Sequence, residues 1–180
     1  MSKAVLISIK PEWCGMIALG EKTIEVRKTR PKLETPFKCY IYMTKDNTDS
    51  CPKNIFWHTD ITGYQHICNG KVIGKFVCDE IIKYPYNCDG YGLKDEANII
   101  ARSCVPEKEL YHYLQGATPY GWHISNLIMY DKPKMLHNFF KPCGDCDKKG
   151  TKRCTEELTY CRAKTITRPP QSWCYVEEIS

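Results

Sequence analysis

The chain has 180 residues and a mass of 20.9 kDa, room for one domain with at most a small appendage, which excludes a multi-domain assembly. With 42% hydrophobic and 26% charged residues it can bury a core and is not a disordered polymer. No apolar run approaches the roughly 18 residues of a membrane helix, and a formal net charge of +5 permits an acidic partner without requiring one.

The opening MSKAVLISIKPEW has neither a long apolar stretch nor a small-residue cleavage site, so no signal peptide and a cytoplasmic location are expected. Residues 4–9 are apolar and partly β-branched and predict a short strand. Pro11 suits a first helical position, because its missing amide hydrogen would be unpaired there anyway. Trp13, Met16 and Ile17 continue a helical spacing, and Gly20 fits the position just past the helix end. TIEVR then alternates: Ile24 and Val26 face one way, and Thr23, Glu25 and Arg27 the other, as in a half-buried strand. TRPKLETP reads as a turn-rich connection and FKCYIYM as the next strand.

Residues 44–69 show no sustained period and form a long excursion, a candidate lid or protein-partner surface. VIGKFVCDEIIKY is the strongest strand signal, with a bend expected at Gly74. Residues 87–101 read as irregular with a weak helical pattern. SCVPEKELYHYLQG predicts a helix, with Ser103 as its cap, Glu107, Leu110, Tyr111 and Leu114 on one face, and Gly116 as terminator. Residues 122–130 read as a strand, KPKMLHNFF as one or two helical turns, and WCYVEEI as the last strand. This order does not repeat as βαβ units. Short strands with a helix near each end predict a mixed α+β fold: a small bent sheet or β-barrel flanked by helices.

Twelve cysteines are present. Cys14, Cys39, Cys51, Cys68, Cys78, Cys88, Cys104 and Cys174 are scattered singly and read as buried or half-buried free thiols. The other four stand as C-x2-C-x7-C-x6-C: Cys143, Cys146, Cys154 and Cys161. The first pair has the step of a zinc knuckle, and four thiolates suit a tetrahedral structural zinc with no open position for catalysis. Unliganded thiols and redox chemistry are the alternatives. This cysteine-rich, basic insert spans 141–168 within a single domain of 1–180. The excess charge is local, because residues 132–170 carry ten Lys or Arg against four Asp or Glu.

The stretch SIKPEWCGMIALGEKTIEVRK resembles the opening of ASCH-type domains, which belong to the PUA-like group of small β-barrels. The signature, glycine, any residue, lysine, two residues, glutamate, any residue, arginine, falls here on Gly20, Lys22, Glu25 and Arg27. GKVIGKF and WHIS match the later barrel strands. WHISNLIMYDKPK followed by RPPQSWCYVE resembles a subgroup found among gut bacteria and their phages. The resemblance covers about 130 residues. It implies a PUA-like barrel with a cleft for RNA or a nucleotide-like ligand. Members have RNA-related roles that include coregulation, ribonuclease activity and hydrolysis of acylated cytidine. In the hydrolase type a lysine, a threonine and a glutamate act. That lysine falls on Lys22, and Glu25 stands where the threonine would be.

The ligand-binding candidates are therefore Lys10, Lys22, Glu25, Arg27, Lys28, Arg30, Trp122 and His123. Lys32 and Lys38 belong to the same basic group, suited to phosphate. Aromatics such as Tyr84, Tyr86, Tyr91, Tyr120 and Trp122 offer stacking surfaces. Lys22 and Glu25 are the catalytic candidates if the domain is an enzyme. A protein-binding accessory module, of phage or host, is the third expectation.

Overall fold

The structure, a computed structural model, describes residues 2–45, 57–59, 65–142 and 165–179. β1 (Lys3–Ile9) leads through α1 (Pro11–Ala18) into β2 (Ile24–Arg27) and β3 (Phe37–Met43). A short antiparallel pair follows, β4 (Trp57–Thr59) with β5 (Gln65–Ile67). Next come β6 (Val72–Cys78), β7 (Ile81–Lys83), α2 (Glu96–Ser103) and α3 (Glu107–Leu114). The chain continues through β8 (Tyr120–His123), β9 (Ser125–Lys134), a 3₁₀ turn at Leu136–Asn138 and β10 (Trp173–Glu177).

Two sheets carry the fold. One has five strands in the order β10-β1-β3-β6-β9, and the other three in the order β2-β8-β7. β1 and β3 pair in parallel, with α1 and β2 forming the crossover between them, and the other neighbours in both sheets are antiparallel. The expected closed barrel is not formed among the described residues. The long strand predicted over VIGKFVCDEIIKY breaks at Asp79 and Glu80, and the predicted strand over 122–130 breaks at Ile124. At these corners the ladder is handed from one sheet to the other: the His123 amide donates to Glu80 O and the Ile124 amide to Thr23 O, both at 2.9 Å. The result is an α+β fold with a bent, open pair of sheets.

One core lies between the sheets and α1. It gathers Val5, Ile7, Ile9, Cys14, Ile17, Cys39, Phe76 and Trp122. A second, built on Ile24, Val26, Tyr84, Ile99, Leu110 and Leu114, sits under α2 and α3. The alternation in TIEVR places Ile24 and Val26 in this second core. β2 is nevertheless buried along its whole length, not half-buried, because its polar face is also covered. The weak helical pattern within the otherwise irregular stretch at 87–101 is α2, which begins at Glu96 and runs past the expected end to Ser103. Ser103 is consequently the last residue of α2 and not the cap of α3. Pro106 stands at that cap, and the Ser103 hydroxyl instead accepts from the Val105 amide at 3.3 Å.

Of the single cysteines, Cys14, Cys39, Cys68 and Cys78 are buried and Cys104 and Cys174 half-buried, while Cys88, expected to be at least half-buried, is exposed on the loop before α2. Burial pushes the Cys39 thiol well above its ordinary range and Cys78 up to about 12, so both stay neutral and pack as small hydrophobes. Cys51 lies outside the described residues.

The bend expected at Gly74 is present as a register shift between Val72 and Gly74 against β9. A Cβ at Gly74 would stand 2.6 Å from Ile128 O. Gly74→Ala is expected to force the two strands apart and cost about 1–3 kcal/mol. A shift in urea midpoint at unchanged m-value checks this.

Candidate functional site

A cleft of about 850 Å³ opens between β1, α1, β2 and α3. Its floor is made by the polar face of β2. Gly20, at φ 77°, ends α1 in the left-handed region that favours glycine, and lets the chain reverse. The amides of Glu21 and Lys22 then both donate to Met16 O, at 3.0 and 3.1 Å. This turn delivers Lys22 to the cleft. Two residues of strand spacing bring Glu25 and Arg27 to the same side.

The three side chains form one buried ionic unit. Glu25 Oε2 lies 3.3 Å from Lys22 Nζ and Glu25 Oε1 lies 2.9 Å from Arg27 Nη2. Side-chain exposure is 1% for Lys22, 8% for Glu25 and 10% for Arg27. Charges so far from water persist only when paired and hydrogen-bonded. Lys22 Nζ donates to Ser103 O at 2.7 Å, and it sits 5.4 Å from the centroid of the Trp13 ring. Ser103 O belongs to the C-terminal turn of α2, where carbonyls lack helical partners and attract cations. Arg27 Nη2 donates to Ser8 O at 2.5 Å and Nη1 to Ser172 Oγ at 3.4 Å. Its Nε has no partner among the described residues. In the structure Glu25 stands between the two cations, and every neighbour of the ammonium named above is an acceptor or a π face.

The wall opposite β2 is α3. The face away from Leu110 and Leu114 carries Lys108, Glu109, His112 and Tyr113, all lining the cleft. Lys28, at the end of β2, stands 5.1 Å from the Tyr113 ring centroid and spans the mouth. Five cations, Lys10, Lys22, Arg27, Lys28 and Lys108, therefore face two carboxylates, Glu25 and Glu109.

Of the eight ligand-binding candidates, Lys10, Lys22, Glu25, Arg27 and Lys28 meet in this cleft. Arg30 does not; with Lys32 it lines a separate depression of about 710 Å³. Trp122 is fully buried, edge-on to Phe37 and Trp173, which leaves no face for a base. His123 is held by Asp79 at 2.7 Å, at the corner between the sheets. Lys38 pairs with Glu178. Among the aromatics, Tyr84 is buried with its hydroxyl donating to Asn98 Oδ1 at 2.9 Å, while Tyr91 is exposed. Trp13, Lys108, His112 and Tyr113 were missed as site residues. The signal for the last three was present, since they lie on the face of α3 that the apolar spacing leaves over.

Cys143, Cys146, Cys154 and Cys161 lie outside the described residues. The two ends of the insert are described and lie side by side, with a β-bridge between Phe140 and Thr165. Most of the 44–69 excursion also lies outside them.

No family model and no curated protein matches the chain. Among solved structures it is similar to the crystal structure of ASCH from Zymomonas mobilis, at 17% identity and a TM-score of 0.51, over 97% of this chain and 88% of that chain. The chain has the ASCH fold. Two variants of the same protein also match at 17% identity. A tyrosine-to-phenylalanine form has a TM-score of 0.48 over 98% of this chain and 92% of that one. A serine-to-alanine form has 0.46 over 97% and 89%. The likeness reaches the ASCH fold and does not extend to a gut-bacterial or phage subgroup. Among the described residues no helix is long and apolar enough to cross a membrane.

Proposed function

We propose that the cleft binds RNA or a nucleotide-like ligand. The observation that carries this is the cleft itself: five cations against two carboxylates, with Tyr113 at its mouth and Trp13 on its wall. Phosphates are held by Lys and Arg, and bases stack on aromatic rings. The cleft also lies in the size range of small-ligand sites, about 300–1,000 Å³. The ASCH-type signature supports the same reading, since all four of its residues shape or line this one site.

A second reading is a hydrolytic enzyme on RNA or a modified nucleoside. It is favoured by one feature, the 3.3 Å approach of Lys22 to Glu25 at the cleft floor. One experiment separates the two. The protein is incubated with a pool of single-stranded RNA, DNA and modified nucleosides, and both retention and product formation are followed. Binding without turnover is the expected result. If products form, and Lys22→Ala abolishes them while retention survives, the hydrolytic reading holds instead.

For the insert we propose a structural zinc held by Cys143, Cys146, Cys154 and Cys161, on the strength of their spacing and the scarcity of core-forming residues between them. Protein prepared without a histidine tag is expected to contain about one zinc per chain by elemental analysis. No zinc, with all four thiols freely reactive, would contradict it.

A further inference from the structure

A second cleft, of about 750 Å³, lies on the other face of the five-stranded sheet from the first. On that face Leu6, Tyr40 and Tyr42 pack with Phe139 and Ile166, in a core separate from the one around α1. The walls of the cleft are held by the fold. The Ser8 hydroxyl donates to Pro170 O at 2.6 Å and its amide to Ser172 O at 2.9 Å, which ties the 169–171 wall to β1. The Met135 amide donates to Asn138 Oδ1 at 3.0 Å, and the Ile166 amide to Phe139 O at 2.9 Å, which ties down the wall carrying Met135 and Leu136. Lys45 stands on the rim with its stem over Gly70, where a Cβ would lie 2.9 Å from two of the lysine's methylene carbons.

Tyr42 is only 4% exposed, and it lines the cleft. Its hydroxyl has no hydrogen-bond partner among the described residues. Tyr40, two residues earlier on the same face, differs: its hydroxyl donates to Ile179 O at 3.2 Å and accepts from the Ile179 amide at 2.9 Å. A buried polar group left without a partner calls for an explanation. Burial pushes the Tyr42 hydroxyl up from its ordinary range, so it stays protonated at neutral pH and can donate. Lys45 and His137 are exposed on the rim, and no acidic side chain among the described residues lines the cleft.

We infer that this cleft binds a small amphipathic carboxylic acid that carries a second oxygen, a hydroxyl or a carbonyl, at the far end of an apolar body. Three observations carry this. The unpartnered Tyr42 hydroxyl offers a hydrogen bond to an oxygen in the buried part of the cleft. Met135, Leu136, Ile166 and Pro169 supply apolar surface for the body. One lysine and one imidazole, with no carboxylate against them, match a single negative charge at the rim. The inference is independent of the nucleic-acid reading of the first cleft, with which this one shares only the lining residue Ser8.

The test is calorimetric titration of the whole chain with 8-hydroxyoctanoate, octanoate, which lacks the hydroxyl, and 1,8-octanediol, which lacks the charge. 8-Hydroxyoctanoate is expected to bind with a Kd on the order of 1 mM or below. Octanoate is expected to bind about three- to tenfold more weakly, and the diol about two- to fivefold more weakly. Tyr42→Phe removes a hydroxyl that bonds nothing in the fold. It is expected to bring 8-hydroxyoctanoate down to the affinity of octanoate and to leave octanoate unchanged. Lys45→Met keeps the stem over Gly70, and is expected to weaken both acids and leave the diol unchanged. No heat of binding with 8-hydroxyoctanoate at about 10 mM would overturn the inference. So would a hydroxyl advantage that survives Tyr42→Phe, or a Lys45→Met loss as large for the diol as for the acids. Inorganic phosphate binding as tightly as 8-hydroxyoctanoate would make this a plain anion site and would overturn it too.

Discussion

Replacing Glu25 by alanine is expected to cost about 3–5 kcal/mol of folding stability, the usual penalty for breaking a buried ion pair from one side. The carboxylate holds both Lys22 and Arg27, and its removal leaves two cations that are 1% and 10% exposed without a counter-charge. Their remaining partners, Ser103 O and Ser8 O, are neutral carbonyls and do not compensate. A domain of this size has a total stability of about 5–15 kcal/mol, so the variant approaches the unfolding threshold. Glu25→Gln retains an acceptor for one cation and is expected to lose less. Urea unfolding with coincident fluorescence and circular dichroism transitions measures both. A Glu25→Ala protein as stable as the parent would show that the trio is not closed to water. Anion binding in the cleft is expected to restore part of the loss, since a phosphate can replace the missing negative charge.

Much of the floor of this site was legible in the sequence. The alternation of TIEVR separates Ile24 and Val26 from Glu25 and Arg27, and period two leaves no other choice once one face is buried. Gly20 after an eight-residue helix marks the reversal that brings in Lys22. The wall was harder. Leu110 and Leu114 fixed which face of α3 is buried, but which element faces the opposite side depends on how the two sheets bend. That bend is set at Asp79 and Glu80 within VIGKFVCDEIIKY, where the adjacent charged pair was the one local sign, and at Ile124 within WHISNLIMY, where an apolar residue gives none. α2 showed only as a weak helical pattern because Asp95 and Cys104 at its ends are left-handed residues that are not glycine, and no side-chain cap marks its start. Yet its last carbonyl is what holds Lys22. Trp122 and His123 fall outside the cleft for a related reason. Alternation says that neighbours point to opposite faces, but not that the core takes Trp122 and that a partly exposed pair with Asp79 holds His123.

The cleft as a nucleic-acid site is tested most directly by removing two of its cations outside the buried trio and leaving the trio alone. Lys28 and Lys108 line the cleft from opposite walls, and neither belongs to the buried ionic unit, so Lys28→Ala with Lys108→Ala is expected to fold normally. Each phosphate contact on a single strand contributes about 0.7 to the slope of log affinity against log salt. The double variant is therefore expected to bind single-stranded RNA more weakly at low salt and to lose about 1.4 units of that slope. Arg30→Ala with Lys32→Ala removes the same charge from the neighbouring depression and is expected to change neither. A salt titration of RNA affinity across the parent and both double variants decides the matter. A loss of affinity and slope confined to Lys28→Ala with Lys108→Ala is the predicted result. Equal losses in both variants, or a loss confined to Arg30→Ala with Lys32→Ala, would contradict the assignment of the cleft.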